Sequence, residues 1–422
     1  MIVTNDPPRR PWPPAWRALL IVGVVYGIAV AGVAAWRADS TSDFRDFWEN
    51  AVHFRQTGEI AADLGVHNYL PFFTIFMLPW GLLPLPAGAA LFAALSLALF
   101  AVTVVLVENL LADVPSRGPR TAMWIAAALM LPYVHSCAVL GNVGLLVLFL
   151  VVAAWFLVER GREWPAGAAL GLAALIKLLP GVLIVFFLLK GRWRVAAAAG
   201  LVMAVFGIGA PVAALGPATT WAQHEGFYRR ALVEHSAIQT LAAEKPRKTL
   251  YNNNALPMVL RRLLSPVDAA PGRPGGPLLV NVADLPPRAR VIVYAALAAG
   301  LVGVSVVLTV LRPRRWPPEG AQEVALLRGQ YGLWCCLMLL VAPLMWTHYL
   351  PLAYWPLAWL ADRTERSRRA GRTDRVAAAA LVLWLVAAAL LAWPPARAAG
   401  AQLAAVVVLW LAVVAAQFRR ST

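Results

Sequence analysis

The feature that most constrains this chain is its series of long apolar segments. Residues 18–36, 121–140, 143–158, 166–189, 195–215, 291–311, 376–393 and 401–418 are dominated by Ala, Leu and Val and are nearly free of charge. Segments of that length match an α-helix crossing a hydrocarbon core of about 30 Å. A membrane barrel would show shorter stretches of alternating polarity, and none is visible. Backbone amides in lipid must be paired within the chain. The expected fold class is therefore all-α, a polytopic transmembrane helical bundle of about 10–12 membrane segments with polar loops and interfacial helices between them.

Composition closes the alternatives. The chain is 60% hydrophobic and only 14% charged, too little charge to coat a soluble domain of 422 residues. The net charge of +16 would suggest nucleic acid in a soluble protein. Here most Arg sits in short loops beside apolar segments, where positive charge marks the cytoplasmic side. The expected partner is the lipid bilayer, and no nucleic acid. Cys137, Cys335 and Cys336 all lie in apolar segments and read as packing residues, not as a disulfide or metal framework. Heavy use of Ala, Arg and Pro fits a GC-rich bacterium, and the expected location is the bacterial plasma (inner) membrane.

Charge also orders the segments. Residues 1–17 read as a cytoplasmic tail, with Arg9, Arg10 and Arg17, and 18–36 as an uncleaved first span. Residues 37–68 form an acidic outer loop, and 216–290 a longer one. Residues 18–361 read as the main module; 362–422 read as a basic cytoplasmic loop and a C-terminal transmembrane hairpin. Counting every segment as a full span gives twelve and puts both termini inside, but it leaves Arg117, Arg120, Arg160 and Arg162 outside. Two changes bring them in. The proline-broken stretch 69–83 becomes a re-entrant or interfacial piece, and 166–189 becomes a hairpin of two half-length helices turning near Lys177, which then sits at the outer tip.

Several polar residues stand out against this background. Asp43 and Asp46 are three apart, on one helical face among aromatics; a carboxylate there can act as a general base toward a hydroxyl, although a solvated acidic loop would look similar. Lys177 is costly within an apolar run and suits a lipid phosphate, unless it snorkels to the interface. His348, beside Tyr349, fits either a phosphate contact or an aromatic belt. His224, and Asn252 with Asn253, offer sugar-binding groups or ordinary turn chemistry. No P-loop, dinucleotide fingerprint, HExxH or Cys/His metal spacing is present. Neither a cofactor nor a metal site is expected, and an activated substrate would come from the membrane.

Taken in order, these blocks resemble the polytopic glycosyltransferases of the GT-C superfamily, most closely glycosyltransferase family 87, whose members resemble polyprenyl-phosphate-mannose-dependent mannosyltransferases. The resemblance runs through Asp43-Phe44-x-x-Phe47-Trp48, Gly58 and Tyr69-Leu70-Pro71-Phe72; then Gly141-Asn142, where the family usually has Gly-Gln; then 166–180 with Lys177; then Trp346-x-His348-Tyr349. It implies a polyprenyl-phosphate sugar donor, mannose by the family's habit, and a glycan or glycolipid acceptor on the outer face. Transfer would be inverting. Asp43, or Asp46 in a shifted register, would be the base. Lys177, His348 and Tyr349 would meet the donor phosphate, and Tyr69, Asn142, His224, Asn252 and Asn253 the substrates. The competing readings are a transporter or flippase for a lipid-linked sugar, which would share the intramembrane lysine but for which no second copy of the Lys177 hairpin is seen, and a non-catalytic membrane assembly subunit, which has no need of Asp43.

Overall fold

In the computed structural model, residues 14–40, 42–60, 69–111, 121–243, 250–311 and 320–418 are described. The regular structure among them is helical, apart from one isolated bridge between Asn253 and Trp346. The chain runs through α1 (Pro14–Trp36) into α2 (Asp43–Thr57), α3 (Pro71–Met77) and α4 (Leu85–Leu111). Next come α5 (Thr121–Leu140), α6 (Gly144–Glu159), α7 (Glu163–Ile176) and α8 (Gly181–Leu189). Then α9 (Trp193–Ala204) passes through a π-helical stretch into α10 (Ala210–Leu215). A long polar connector carries α11 (Pro217–Phe227), α12 (Ala237–Ala242) and α13 (Leu256–Leu263). The last part holds α14 (Pro287–Leu311), α15 (Ala321–Leu340), α16 (Tyr354–Arg369), α17 (Arg375–Ala389), α18 (Pro394–Ala398) and α19 (Ala401–Phe418).

Six helical stretches among the described residues are long and apolar enough to cross a membrane: α4, α5, Trp193–Leu215, α14, Arg375–Ala392 and α19. Ile21–Trp36, α6 and α7 are shorter apolar helices. The apolar window of α14 is only 11% buried, so most of its surface faces away from the rest of the bundle. One continuous core draws on most of the helices from α2 to α19, the C-terminal pair α17 and α19 contributing Trp384, Leu409 and Val413, while Ala398 of α18 packs in a smaller cluster with Ala269, Ala270 and Leu278. Cys137, Cys335 and Cys336 are free and buried, as packing residues should be.

The two irregular pieces expected from charge placement both occur. Residues 71–82 form the seven-residue α3 and a 3-10 turn, far too short to span. The segment 166–189 breaks at Lys177–Pro180, where Pro180 cannot continue a helix. Beyond the break, α8 runs back along α7: Arg192, just past its end, bonds Glu163 at the start of α7, 3.0 Å away. The following α9 lies parallel to α7 at very close range. Gly167 touches the Val195 carbonyl and Ala198, and a Cβ on Gly171 would lie 2.7 Å from the Ala199 carbonyl oxygen.

These folds sort the connections to two ends. At one end Glu159 holds Arg328 through two bonds of 2.8 Å, Arg366 donates to the Leu111 carbonyl, Glu365 accepts from the Ala122 amide, and Arg363 pairs with Asp374. Arg160, Arg162, Lys190, Arg192, Arg194, Arg368, Arg369 and Arg372 belong to the same end by connectivity. Arg9, Arg10, Arg117, Arg120, Arg312, Arg314 and Arg315 lie outside the described residues. At the opposite end α2 meets the turn at 141–142 and His348, and the neighbouring segments are joined to these in turn: Lys177 to Asn142, Asn254 to Met345, Arg262 to Ala398 and Arg397 to Thr347. Exposed Trp36, Trp221 and Trp393 mark that end, and exposed Trp164 and Trp193 mark the basic one.

Candidate active site

Asp43, Asn142, Lys177 and the pair His348-Tyr349 come together at the end opposite the Arg-rich short loops, on four separate elements. α2 begins at Asp43 because Ser42 caps it, its hydroxyl accepting from the Arg45 amide at 3.2 Å. Phe44 and Phe47 bury the inner face of α2 against Trp80, Phe92, Tyr69 and Phe73. The fit leaves no room at the α5–α6 turn: Gly141, at φ +64°, lies against the Phe44 side chain where any Cβ would overlap it. This contact sets Asp43 beside Asn142.

Asn142 is the hub. It is 1% exposed, and its amide oxygen and amide nitrogen both bond within the site. Its carbonyl oxygen accepts from the Gly144 amide at 2.9 Å and from Lys177 Nζ at 3.1 Å. Its nitrogen is thereby turned toward Asp43 and donates to Oδ2 at 2.5 Å. Lys177 caps the C-terminus of α7, is 7% exposed, and has the Tyr349 ring over its ammonium, 3.4 Å from Nζ to the centroid. It is not the bare outer tip expected from sequence, nor a lysine snorkelling to water; packing closes over it, and Asn142 and the ring take the place of water. His348 Nε2 lies 3.9 Å from Asp43 Oδ2, too long for a hydrogen bond. Burial, then the Lys177 charge, pushes His348 well below its ordinary pKa, so this contact sets a neutral imidazole beside the carboxylate.

Burial raises the pKa of Asp43, while the Asn142 hydrogen bond and the Lys177 charge pull it back down. Its Oδ1 holds no hydrogen bond to any described residue, so one carboxylate oxygen is oriented and the other is open. Asp46 lies one turn further along α2 and bonds none of these groups. Its pKa is also raised, by burial and then by the nearby Asp43 and Glu49 charges. Tyr69 packs its ring on Phe73, 4.3 Å between centroids, and lines a small cleft with Ile60, Thr74, Gln223 and Phe227.

The remaining candidates sit elsewhere. His224 bonds the Thr220 carbonyl within α11, 2.8 Å away, and does not reach Asp43. Asn253 is buried and spends its side-chain oxygen on the Met345 and Ala255 amides, both at 3.1 Å. That work holds the 345–349 segment in place. Asn252 is half-buried, with its side-chain oxygen sequestered and unpaired. No group of His, Cys, Asp and Glu suited to a metal occurs among the described residues. Arg397 was missed in the sequence. It sits on α18 and donates to the Thr347 hydroxyl at 3.1 Å, one residue from His348. The available signal was an arginine after Pro394-Pro395 between two apolar segments.

The profile of glycosyltransferase family 87 matches residues 67–343, well over half of the chain. The chain belongs to that family. It is 29% identical over 202 residues to a polyprenol-phosphate-mannose-dependent alpha-(1-2)-phosphatidylinositol mannoside mannosyltransferase of Mycolicibacterium smegmatis, covering 42% of this chain and 44% of that protein. It is also 29% identical over 184 residues to an alpha-(1->3)-arabinofuranosyltransferase of Mycobacterium tuberculosis, covering 40% of this chain and 41% of that one. The matches thus span under half the length of these relatives. Among solved structures, ArnT from Cupriavidus metallidurans, crystallised with undecaprenyl phosphate, aligns over 95% of this chain and 77% of its own, with 15% identity and a TM-score of 0.46.

Proposed function

We propose that this family 87 protein transfers a sugar from a polyprenyl-phosphate donor to a hydroxyl of a glycan or glycolipid at the non-cytoplasmic face of the bacterial inner membrane. The observation that carries the reading is the chain Asp43–Asn142–Lys177, a carboxylate and an ammonium fixed to the two arms of one buried amide. Asp43 accepts the acceptor's hydroxyl proton at its open oxygen. The freed oxygen attacks the anomeric carbon, the carbon–phosphate oxygen bond breaks, and the phosphate leaves with the electron pair. A single displacement of this kind inverts the anomeric centre. Lys177 and His348 receive the departing phosphate by hydrogen bonds, with Tyr349 moving aside from the ammonium. The Arg-rich short loops lie at the end opposite the site, and since positive charge in short loops marks the cytoplasm this supports a non-cytoplasmic location for the chemistry; the long connector 216–290, with ten Lys/Arg, is not counted by that rule.

Mannose is the proposed sugar, from the mannosyltransferase relative; the arabinofuranosyltransferase relative is matched at the same identity and makes arabinofuranose the rival. The test is transfer by the purified protein from polyprenyl-phosphate mannose and from polyprenyl-phosphate arabinofuranose, for wild type and Asp43→Asn. Transfer is expected from the mannose donor and should fall by ~10²–10⁴-fold in the variant, the usual contribution of a general base. Asn at position 43 with wild-type turnover would sink the base assignment. Turnover of the arabinofuranose donor alone would replace mannose.

A further inference from the structure

The geometry points to a second anion site at the rim of this active site: Arg397 binds a phosphate group of a substrate lipid. The substrate class rests on the transferase reading above; the site itself rests on the following contacts. Arg262, fully buried on α13, donates Nε to the Ala398 carbonyl at 2.7 Å and Nη1 to the Leu250 carbonyl at 3.0 Å. These bonds stitch the short α18 onto the polar connector and fix where Arg397 stands. Its guanidinium carbon is 4.9 Å from the centroid of the Tyr251 ring, and Nη2 donates to the Thr347 hydroxyl.

Little else satisfies it. Nη1 reaches the Leu391 carbonyl only at 3.5 Å, and Nε is buried with no acceptor. No carboxylate among the described residues pairs with it. A half-buried guanidinium with spare donors and no counter-charge is costly as it stands. A phosphate offers several oxygens to the planar fork and supplies the missing charge. Lys177 and Arg397 grip the same turn, one through the Tyr349 ring and the other through Thr347. Lys177 already has Asp43 across Asn142; Arg397 has no such partner.

The phosphate can belong to the polyprenyl donor or to an acidic acceptor headgroup, and the experiment separates them. The full-length protein in phosphatidylcholine nanodiscs is titrated with undecaprenyl phosphate, with phosphatidylinositol and with uncharged undecaprenol, following tryptophan fluorescence. In Arg397→Gln, the Kd for one of the two phosphorylated lipids is expected to rise by ~10-fold or more, the range for a charge-assisted bond, with undecaprenol unchanged. The lipid that responds identifies the source. Arg397→Lys, which keeps the charge and the fold but loses the fork, should be intermediate. Unchanged Kd for both phosphorylated lipids in these variants, or an equal loss for undecaprenol, overturns the site. Because only binding is read, the result is independent of whether any sugar is transferred.

Discussion

At the scale of single residues, the state of Asp43 is set by three neighbours acting in opposite directions. Burial favours the protonated acid; the Asn142 amide and the Lys177 ammonium favour the carboxylate. A general base must be ionised, so activity should fall as pH drops through this raised pKa, with the acid limb of the kcat/KM profile above the ordinary carboxylate range. Replacing Asn142 with Leu removes a donor to the carboxylate and strands Lys177. A hydrogen bond to a charged group contributes ~1.5–3 kcal/mol, and a pKa unit corresponds to about 1.4. In Asn142→Leu the acid limb should therefore move up by about one to two pH units. An unmoved limb would separate the titration from Asp43. Asp43, Lys177 and His348 were legible in the sequence because a charge or imidazole among aromatics or within an apolar run is conspicuous. The role of Asn142 was not legible: in the sequence it stands only where the family usually has Gln, as a substrate contact implied by the resemblance, and only the approach of α2 and α7 makes it a hub. Arg397 was hidden for a related reason. Its contact partners, Thr347 and Tyr251, are far away in the chain.

At the scale of elements, the site depends on α7 and α9 lying almost backbone to backbone. Gly167 and Gly171 allow this, since both face the carbonyls and side chains of α9. Gly to Ala in a helix ordinarily stabilises by roughly 0.5–1 kcal/mol. At Gly171 the sign should reverse, because the added methyl would press on the Ala199 backbone, and overpacking costs ~1–3 kcal/mol. Gly200 on α9 has nothing within 4 Å of the same methyl. Thermal unfolding in detergent should thus show Gly171→Ala below wild type and Gly200→Ala at or above it. The break at Lys177–Pro180 was readable from the proline and the placement of Arg on both flanks. The parallel course of α9 was not, because small residues spaced along an Ala-rich helix do not say which neighbour they admit.

At the scale of the whole molecule, the short loops rich in Arg gather at one end, while the ten Lys/Arg of the long connector 216–290 fall outside a rule that counts short loops, and the placement of the short loops decides how the chain sits in its membrane. Counting twelve equal spans places Arg160 and Arg194 on opposite sides. The return of α8 along α7 puts them at one end, with Arg372, while Glu59 and Arg273 lie at the other. If positive charge marks the cytoplasm, Cys introduced at 160, 194 or 372 should be shielded from a membrane-impermeant maleimide in intact cells and react only after permeabilisation. Cys at 59 or 273 should react at once. All five positions are exposed, and Cys137, Cys335 and Cys336 are buried, so the native thiols contribute little background. Labelling of 160 and 194 from opposite sides would restore the uniform spans and remove the hairpin that brings Lys177 to Asp43. Labelling of both from outside would keep the hairpin but invert the molecule, moving the chemistry to the cytoplasmic face.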